Sequence, residues 1–278
     1  MADPLDAALD LLRRLKPQDI ASNLKTLCET CPEIAEDLLG TVDQPLLIKT
    51  CKQTAKDFLA CDFNREEDSY RSPWSNQLDP PIQDASVPAA GLRQLEVALN
   101  EAFDVYRDLY YEGGLSSVYL WQPEEGALAG AILLKKQAPG QYSKGSWDAI
   151  HVFAAFEQGG GGKHGSMRYE LTSTVMLDMT MTNDALDSMN LGGNMTRQHQ
   201  QTCSFSDAAS HVGNLGRLVE EMEIKMRNLL QEVYFGKTKQ ICHELRSLQP
   251  LAQARAEKEK QGNLMKQVPA KDAGQAIS

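Results

Sequence analysis

The chain has 278 residues, 42% of them hydrophobic and 24% charged, with a formal net charge of −10 at pH 7. That is the composition of a folded chain of one large domain or two small ones; it excludes wholesale disorder, and the acidic balance argues against general nucleic-acid binding, which needs clustered cations. The longest apolar run, Ala127 to Leu134, is too short for a bilayer span, and the first thirty residues, with five acidic side chains, do not read as a secretory signal.

Residues 1–60 read as short helices. Leu5, Ala8, Leu9, Leu12 and Leu15 form one apolar stripe that Pro17 ends. Ala21, Leu24, Leu27 and Cys28 form a second, stopped by Pro32, and Ile34, Ala35, Leu38 and Leu39 a third, closed by Gly40. Short helices joined by tight breaks pack antiparallel around a shared core, which gives a helical stalk. Residues 61–90 are polar, with scattered aromatics and Pro80, Pro81 and Pro88, and read as an irregular module. Residues 91–114 are a connecting helix whose apolar face holds Leu92, Leu95, Leu99, Ala102, Phe103, Tyr106, Leu109 and Tyr110; Gly113-Gly114 ends it.

From 115 to 205 the pattern is β, with strands expected at 116–122, 128–136, 147–156, 167–181 and 189–201. No helix fits between them, so the connections are hairpins and the sheet is five-stranded and antiparallel. Residues 206–249 carry one stripe from Leu215 through Tyr234 to Leu248. As one helix it would be about 65 Å long, more than a domain of this mass can cover, so part of it is expected to pack outside this chain unless Gly236 breaks it. The remainder, 250–278, has five cations and three anions and reads as a mobile arm for an acidic partner. The fold class is α+β.

The motifs that suggest chemistry fail in context. Gly160-x-Gly162-x-x-Gly165 matches a dinucleotide fingerprint, but a strand follows it where the pyrophosphate needs a helix N-terminus. Lys163 is followed by His164, so a phosphate loop fails too. Cys28-x-x-Cys31 has no second ligand pair at zinc spacing, and the six cysteines read as reduced thiols of a cytoplasmic protein. Glu66-Glu67-Asp68 lacks Ca²⁺-loop spacing, and no histidine has a metal partner or a triad around it. No metal, cofactor or catalytic group is expected, and the chain does not read as an enzyme.

The segment Cys61 to Asn76 (CDFNREEDSYRSPWSN) resembles the signature of the β subunits of F-actin capping proteins, which runs C-D-Y-N-R-D…D-S-Y-R-S-P-W-S-N. Further blocks are similar to that family and keep its order, among them Leu9 to Leu15, Val42 to Leu46, Tyr111 to Gly114, Ser116 to Trp121, Leu171 to Leu177, Met189 to Gly193 and Tyr234 to Lys239. Phe63 stands where the family has Tyr and Glu66 where it has Asp, and the chain beyond 248 matches poorly.

The resemblance implies an obligate heterodimer with a capping protein alpha subunit, with two sheets joined into one and each long helix over the partner. It also implies Ca²⁺-independent binding to actin filament barbed ends, with subunit addition and loss blocked there. The alpha-subunit interface is then expected at Leu218, Met222, Met226, Leu229 and Val233. Actin contacts are expected at Lys135, Lys136, Lys225 and Arg227, and at Leu264, Met265 and Val268 of the arm. Arg14, Asp62 and Leu78 match positions that hold capping-protein-interaction regulator peptides, Leu78 standing where an aromatic is usual. Acidic phosphoinositides are a further expected partner, and the actin cytoskeleton of the cytoplasm the expected location. The alternative is a scaffold or regulatory protein that homodimerises through the long helix, with a dinucleotide-dependent oxidoreductase on the glycine run third.

Overall fold

The computed structural model describes residues 3–15, 19–124, 126–139, 143–158, 165–183, 186–232, 236 and 255–260. The chain divides into two compact units, Met1–Met226 and Arg227–Ser278. In the second, the described residues are the helical stretch 227–232, Gly236 and the exposed helical segment 255–260.

The first unit begins with three helices, α1 (Pro4–Arg14), α2 (Ile20–Thr30) and α3 (Ala35–Thr41). Asp3 caps α1 by accepting the Leu5 N–H at 3.0 Å, and Pro4 occupies a first-turn position where its missing N–H costs nothing. Ala8, Leu12, Ile20, Leu24, Ile34 and Leu38 bury one another in a shared core. The helical reading of residues 1–60 fails beyond that point. Residues 47–60 are a hairpin of β1 (Leu47–Thr50) and β2 (Asp57–Ala60), paired antiparallel with Ile48 opposite Leu59. A three-residue apolar run such as Leu46-Leu47-Ile48 fits helix and strand equally, and here a tight turn with Ala55 at φ 54° decides it.

Residues 61–90 are not wholly irregular either: β3 (Arg65–Glu66), β4 (Ser69–Arg71) and β5 (Leu78–Asp79) form a small antiparallel sheet. The signature residues hold it in place. Arg71 donates two hydrogen bonds to the Glu96 carboxylate, at 2.8 and 2.7 Å, and a third to Asn76 Oδ1 at 2.7 Å. Arg93 also pairs with Glu96 and reaches the Pro73 carbonyl, while the Trp74 indole N–H donates to the Asp57 carbonyl at 2.9 Å.

Glu96 lies on α4 (Ala90–Tyr110), whose buried face is Leu95, Glu96, Leu99, Asn100 and Phe103. Leu109 and Tyr110, expected on that face, are exposed. The chain leaves α4 through Gly113 at φ +70°. Gly114 follows, where an added Cβ would lie 2.6 Å from the Lys135 carbonyl. The sheet comprises β6 (Leu115–Trp121), β7 (Ala127–Pro139), β8 (Ser143–Gln158), β9 (Gly165–Asn183) and β10 (Leu186–Phe205), in the order β10-β9-β8-β7-β6, antiparallel throughout. Val118, Ile132, His151, Ser173 and Arg197 lie opposite one another across the five strands. On the other face, Tyr119, Ala131, Leu133, Ile150 and Met176 bury Leu46 and Leu59 of the hairpin region.

Helix α5 (Ala208–Gln231) follows the sheet, and Glu232 and Gly236 are helical as well; most of the expected remainder to 249 lies outside the described residues. The 24 residues of α5 span about 36 Å.

Removing one partner of a buried ion pair leaves a charge without compensation, which costs about 3–5 kcal/mol. Glu96→Ala strands Arg71, so we expect a loss of that size in a denaturant titration, recovered only in part by the double change Arg71→Met with Glu96→Leu, which still leaves the Leu120 N–H without its acceptor. A single-variant loss under about 1 kcal/mol, the size of a surface pair, would contradict this role.

Candidate functional site

The two edges of the large sheet are treated differently. The outer edge of β6 is sealed by side chains of α4. Asn100 accepts the Val118 N–H and donates to the Val118 carbonyl, both at 2.9 Å, and Glu96 accepts the Leu120 N–H at 2.7 Å. Among the described residues no strand pairs with the outer edge of β10. At about 3.3 Å per residue this 20-residue strand is some 66 Å long, and an edge with no neighbouring strand is a template for another chain. Burial changes in step. Residues 127–135 of β7 are all buried, whereas on β10 half-buried Leu191, Gly193 and Met195 alternate with exposed Gly192, Asn194 and Thr196.

Helix α5 lies on the sheet by an apolar stripe, Leu215, Leu218, Val219, Met222 and Met226, each at most 4% exposed. This corrects the expectation that Leu218, Met222 and Met226 gain their burial from a partner, because this chain's own core already covers them. Leu229 is half-buried and Val233 lies outside the described residues. Within the stripe sits one carboxylate, Glu223, 1% exposed. It accepts the Tyr111 hydroxyl at 2.6 Å and lies 3.2 Å from His151 Nε2. His151 Nδ1 shares a 2.8 Å hydrogen bond with Ser173, and the Trp147 indole N–H donates to the Tyr111 oxygen at 3.1 Å. Nearer its start the helix is held by Tyr169, whose hydroxyl shares a 2.9 Å hydrogen bond with His211 Nδ1 and accepts from Asn214. On the outer face Ile224 and Lys225 are exposed, and Tyr110 bonds Glu220.

The expected cations divide. Lys135 is not a surface cation: it is 6% exposed, and its ammonium lies 2.7 and 2.6 Å from the two oxygens of buried Asp148, which also accepts the Leu46 N–H. Gly114 crowds the backbone beside it, and the pair joins the hairpin region to the sheet. Lys136 and Arg227 are half-buried and Lys225 is exposed. Leu264, Met265 and Val268 lie outside the described residues.

Of the three positions matched to regulator peptides, Asp62 is exposed, Leu78 is buried at 8% rather than offered to solvent, and Arg14 falls on α1 with its side chain outside the described residues. Two grooves flank the signature. One of about 500 Å³ runs between Phe63, Leu78, Val87, Leu92 and Trp121, with Phe63 stacked on Trp121 at 5.7 Å. The other, of about 300 Å³, is lined by Asp43, Leu47, Cys61, Asp62 and Arg65. Burial raises the Asp43 carboxyl above its ordinary value, with nearby Asp62 adding to it and a hydrogen bond with Thr174 opposing it. Phe63 is 39% exposed, so the missing Tyr hydroxyl strands no buried partner.

Cys28 and Cys31 are free thiols, and among the described residues no three His, Cys, Asp or Glu side chains gather as a metal site. Burial pushes the Cys61 thiol up to about 12, which keeps it unreactive. Among the described residues no helix is long and apolar enough to cross a membrane. Sequence reasoning missed Asn100, Glu96 and Glu223. The available signal was a polar residue inside an apolar helical stripe, Glu96 beside Leu95 and Glu223 beside Met222.

The sequence model described as "F-actin capping protein, beta subunit" matches residues 5–242. An F-actin-capping protein subunit beta of Emericella nidulans is 55% identical over 255 residues, covering 91% of this chain and 94% of that one. One from Drosophila melanogaster is 50% identical over 252 residues, covering 90% of each. A solved structure, that of a homodimeric actin capping protein alpha subunit from Plasmodium berghei, has the same fold at 15% identity, with a TM-score of 0.52 over 87% of this chain and 95% of that one.

Burial holds the His211 imidazole below its ordinary value, so in the fold it stays neutral where the unfolded chain takes up a proton. The unfolded chain then binds more protons, and stability falls as pH drops from about 6.5 toward the folded value. We expect the denaturation midpoint to fall between pH 7 and pH 5.5, and His211→Gln, which keeps a partner for Tyr169, to flatten part of that slope. An identical slope in the variant would contradict the assignment.

Proposed function

This chain belongs to the beta-subunit family of the F-actin capping protein, and we propose on that basis that it forms one half of an alpha–beta heterodimer that binds the barbed end of the actin filament and blocks subunit addition and loss there. The action is steric. It moves no bond, uses no cofactor and is independent of Ca²⁺, the acidic run Glu66-Glu67-Asp68 having the wrong spacing for a Ca²⁺ loop.

The observation that carries the assembly is the contrast between the sheet's edges: β6 is closed by Glu96 and Asn100, and along β10, some 66 Å in length, no strand among the described residues pairs with the outer edge. A partner with a similar sheet adds at β10, and the half-exposed side chains there gain cover as it does. The outer face of α5, with Ile224 and Lys225, meets actin, where opposite charge speeds encounter more than it fixes final affinity. Lys136 and Arg227 add to the positive charge of the contact, and the arm carrying Leu264, Met265 and Val268 slows dissociation. α1 to α3 act as the stalk, and regulator peptides dock along it and into the grooves around Asp62, with Arg14 contributing. Acidic phosphoinositides compete for the same cations. The site of action is the cytoplasmic actin cytoskeleton.

The test is co-expression with an alpha subunit, followed by seeded actin elongation with pyrene-labelled monomer. The heterodimer is expected to stop barbed-end growth at concentrations far below that of actin while pointed-end growth continues. Undiminished barbed-end elongation at saturating heterodimer would reject the reading.

A further inference from the structure

We propose that Glu223 is a positioning residue for capping: its buried carboxylate sets the rotation and axial register of α5, and with them the direction in which Lys225 leaves the helix. This rests on the reading of Lys225 as a filament contact and adds the group that aims it.

The argument starts from what an apolar stripe leaves undetermined. Leu215, Leu218, Val219, Met222 and Met226 keep α5 on the sheet, but apolar contact is non-directional and methionine adapts to many packings. Such a stripe tolerates a small roll or slide of the helix. Hydrogen bonds do not, since they weaken steeply with misalignment. Among the described residues the inner face is attached by polar groups at two points along the axis. His211 and Asn214 bind Tyr169 of β9, and about 18 Å further along the axis Glu223 binds Tyr111 at the end of α4 and His151 of β8. One attachment permits rolling about itself; two separated along the axis fix both roll and register.

A buried carboxylate is costly unless it is fully bonded, and replacing such a cluster whole by apolar side chains of similar volume is often neutral or better. Glu223 therefore contributes directional placement rather than net stability. Its bonds reach three other elements, because His151 is itself held by Ser173 of β9. Lys225 follows two residues later, about 200° around the helix, so the inward direction of the carboxylate dictates the outward direction of the ammonium.

The experiment uses the heterodimer with its alpha subunit and reads barbed-end association rates at two ionic strengths, with thermal midpoints in parallel. In Glu223→Met we expect a folded dimer with a lowered midpoint, since Tyr111 and His151 each lose a buried partner, association slowed about fivefold at low salt, and a flattened salt dependence, the mark of a displaced steering charge. Glu223→Gln keeps the hydrogen bonds to Tyr111 and His151 if His151 changes tautomer, and is expected to restore the wild-type rate. If Glu223→Met gives no folded dimer, Tyr111→Phe, which removes the Tyr111–Glu223 bond, is read in the same way and is expected to slow association in the same sense. Wild-type rate and salt dependence in the folded Glu223 or Tyr111 variant, alongside slow association in Lys225→Glu, would overturn the proposal. Wild-type behaviour in Lys225→Glu as well would instead reject Lys225 as a filament contact, and the proposal with it.

Discussion

Backbone N–H and C=O groups on an edge strand need partners, and the way this chain meets that demand on β6 organises the rest of the first unit. Glu96 and Asn100 point from α4 into the edge and take the place of a sixth strand. For that to work α4 must lie along β6, and Glu96 must be neutralised where it is buried. Arg71 and Arg93 do the latter, and Arg71 is a signature residue, so the fold of the signature module follows from the closing of one sheet edge. Among the described residues no helix closes β10 in this way and no strand pairs with its outer edge, and its half-exposed side chains are what an assembling sheet requires.

The same device recurs at three junctions. Glu96 joins the module, α4 and β6. Asp148, paired with Lys135, joins the hairpin region to β7 and β8. Glu223 joins α5 to α4 and the sheet. Each is a carboxylate held by donors from more than one element, in a place where apolar packing alone would leave orientation loose. Buried charges of this kind add little net stability but are intolerant of losing one partner. Their effect is to make the arrangement of elements specific.

The elements with strong periodicity were legible in the sequence. The five strands of the large sheet, the connecting helix and the start of the long helix all lie within a few residues of their expected places, because alternation and the 3.6-residue repeat extend over whole elements there. The hairpin at 47–60 was not legible: its strands are four residues each, too short to display a period, and Leu46-Leu47-Ile48 suits either state. The sites were less legible than the fold. Lys135 carries no local mark of its partner Asp148, which a hairpin brings opposite it. Met222 and Met226 looked like a waiting interface, since sequence cannot say whether a stripe meets the chain's own sheet or another's. Glu96 and Glu223 did carry a signal, a charge inside an apolar stripe, and that signal points to a buried pair rather than to a surface.

If a partner strand completes β10, hydrogen exchange in the assembled heterodimer shows it. Amides on the outer edge of β10 are expected to exchange as slowly as those of β8, which has a strand on either side, and to do so along the whole of 191–201. Exchange at the outer edge of β10 as fast as in exposed turns, in a dimer that is intact and caps filaments, would contradict the account.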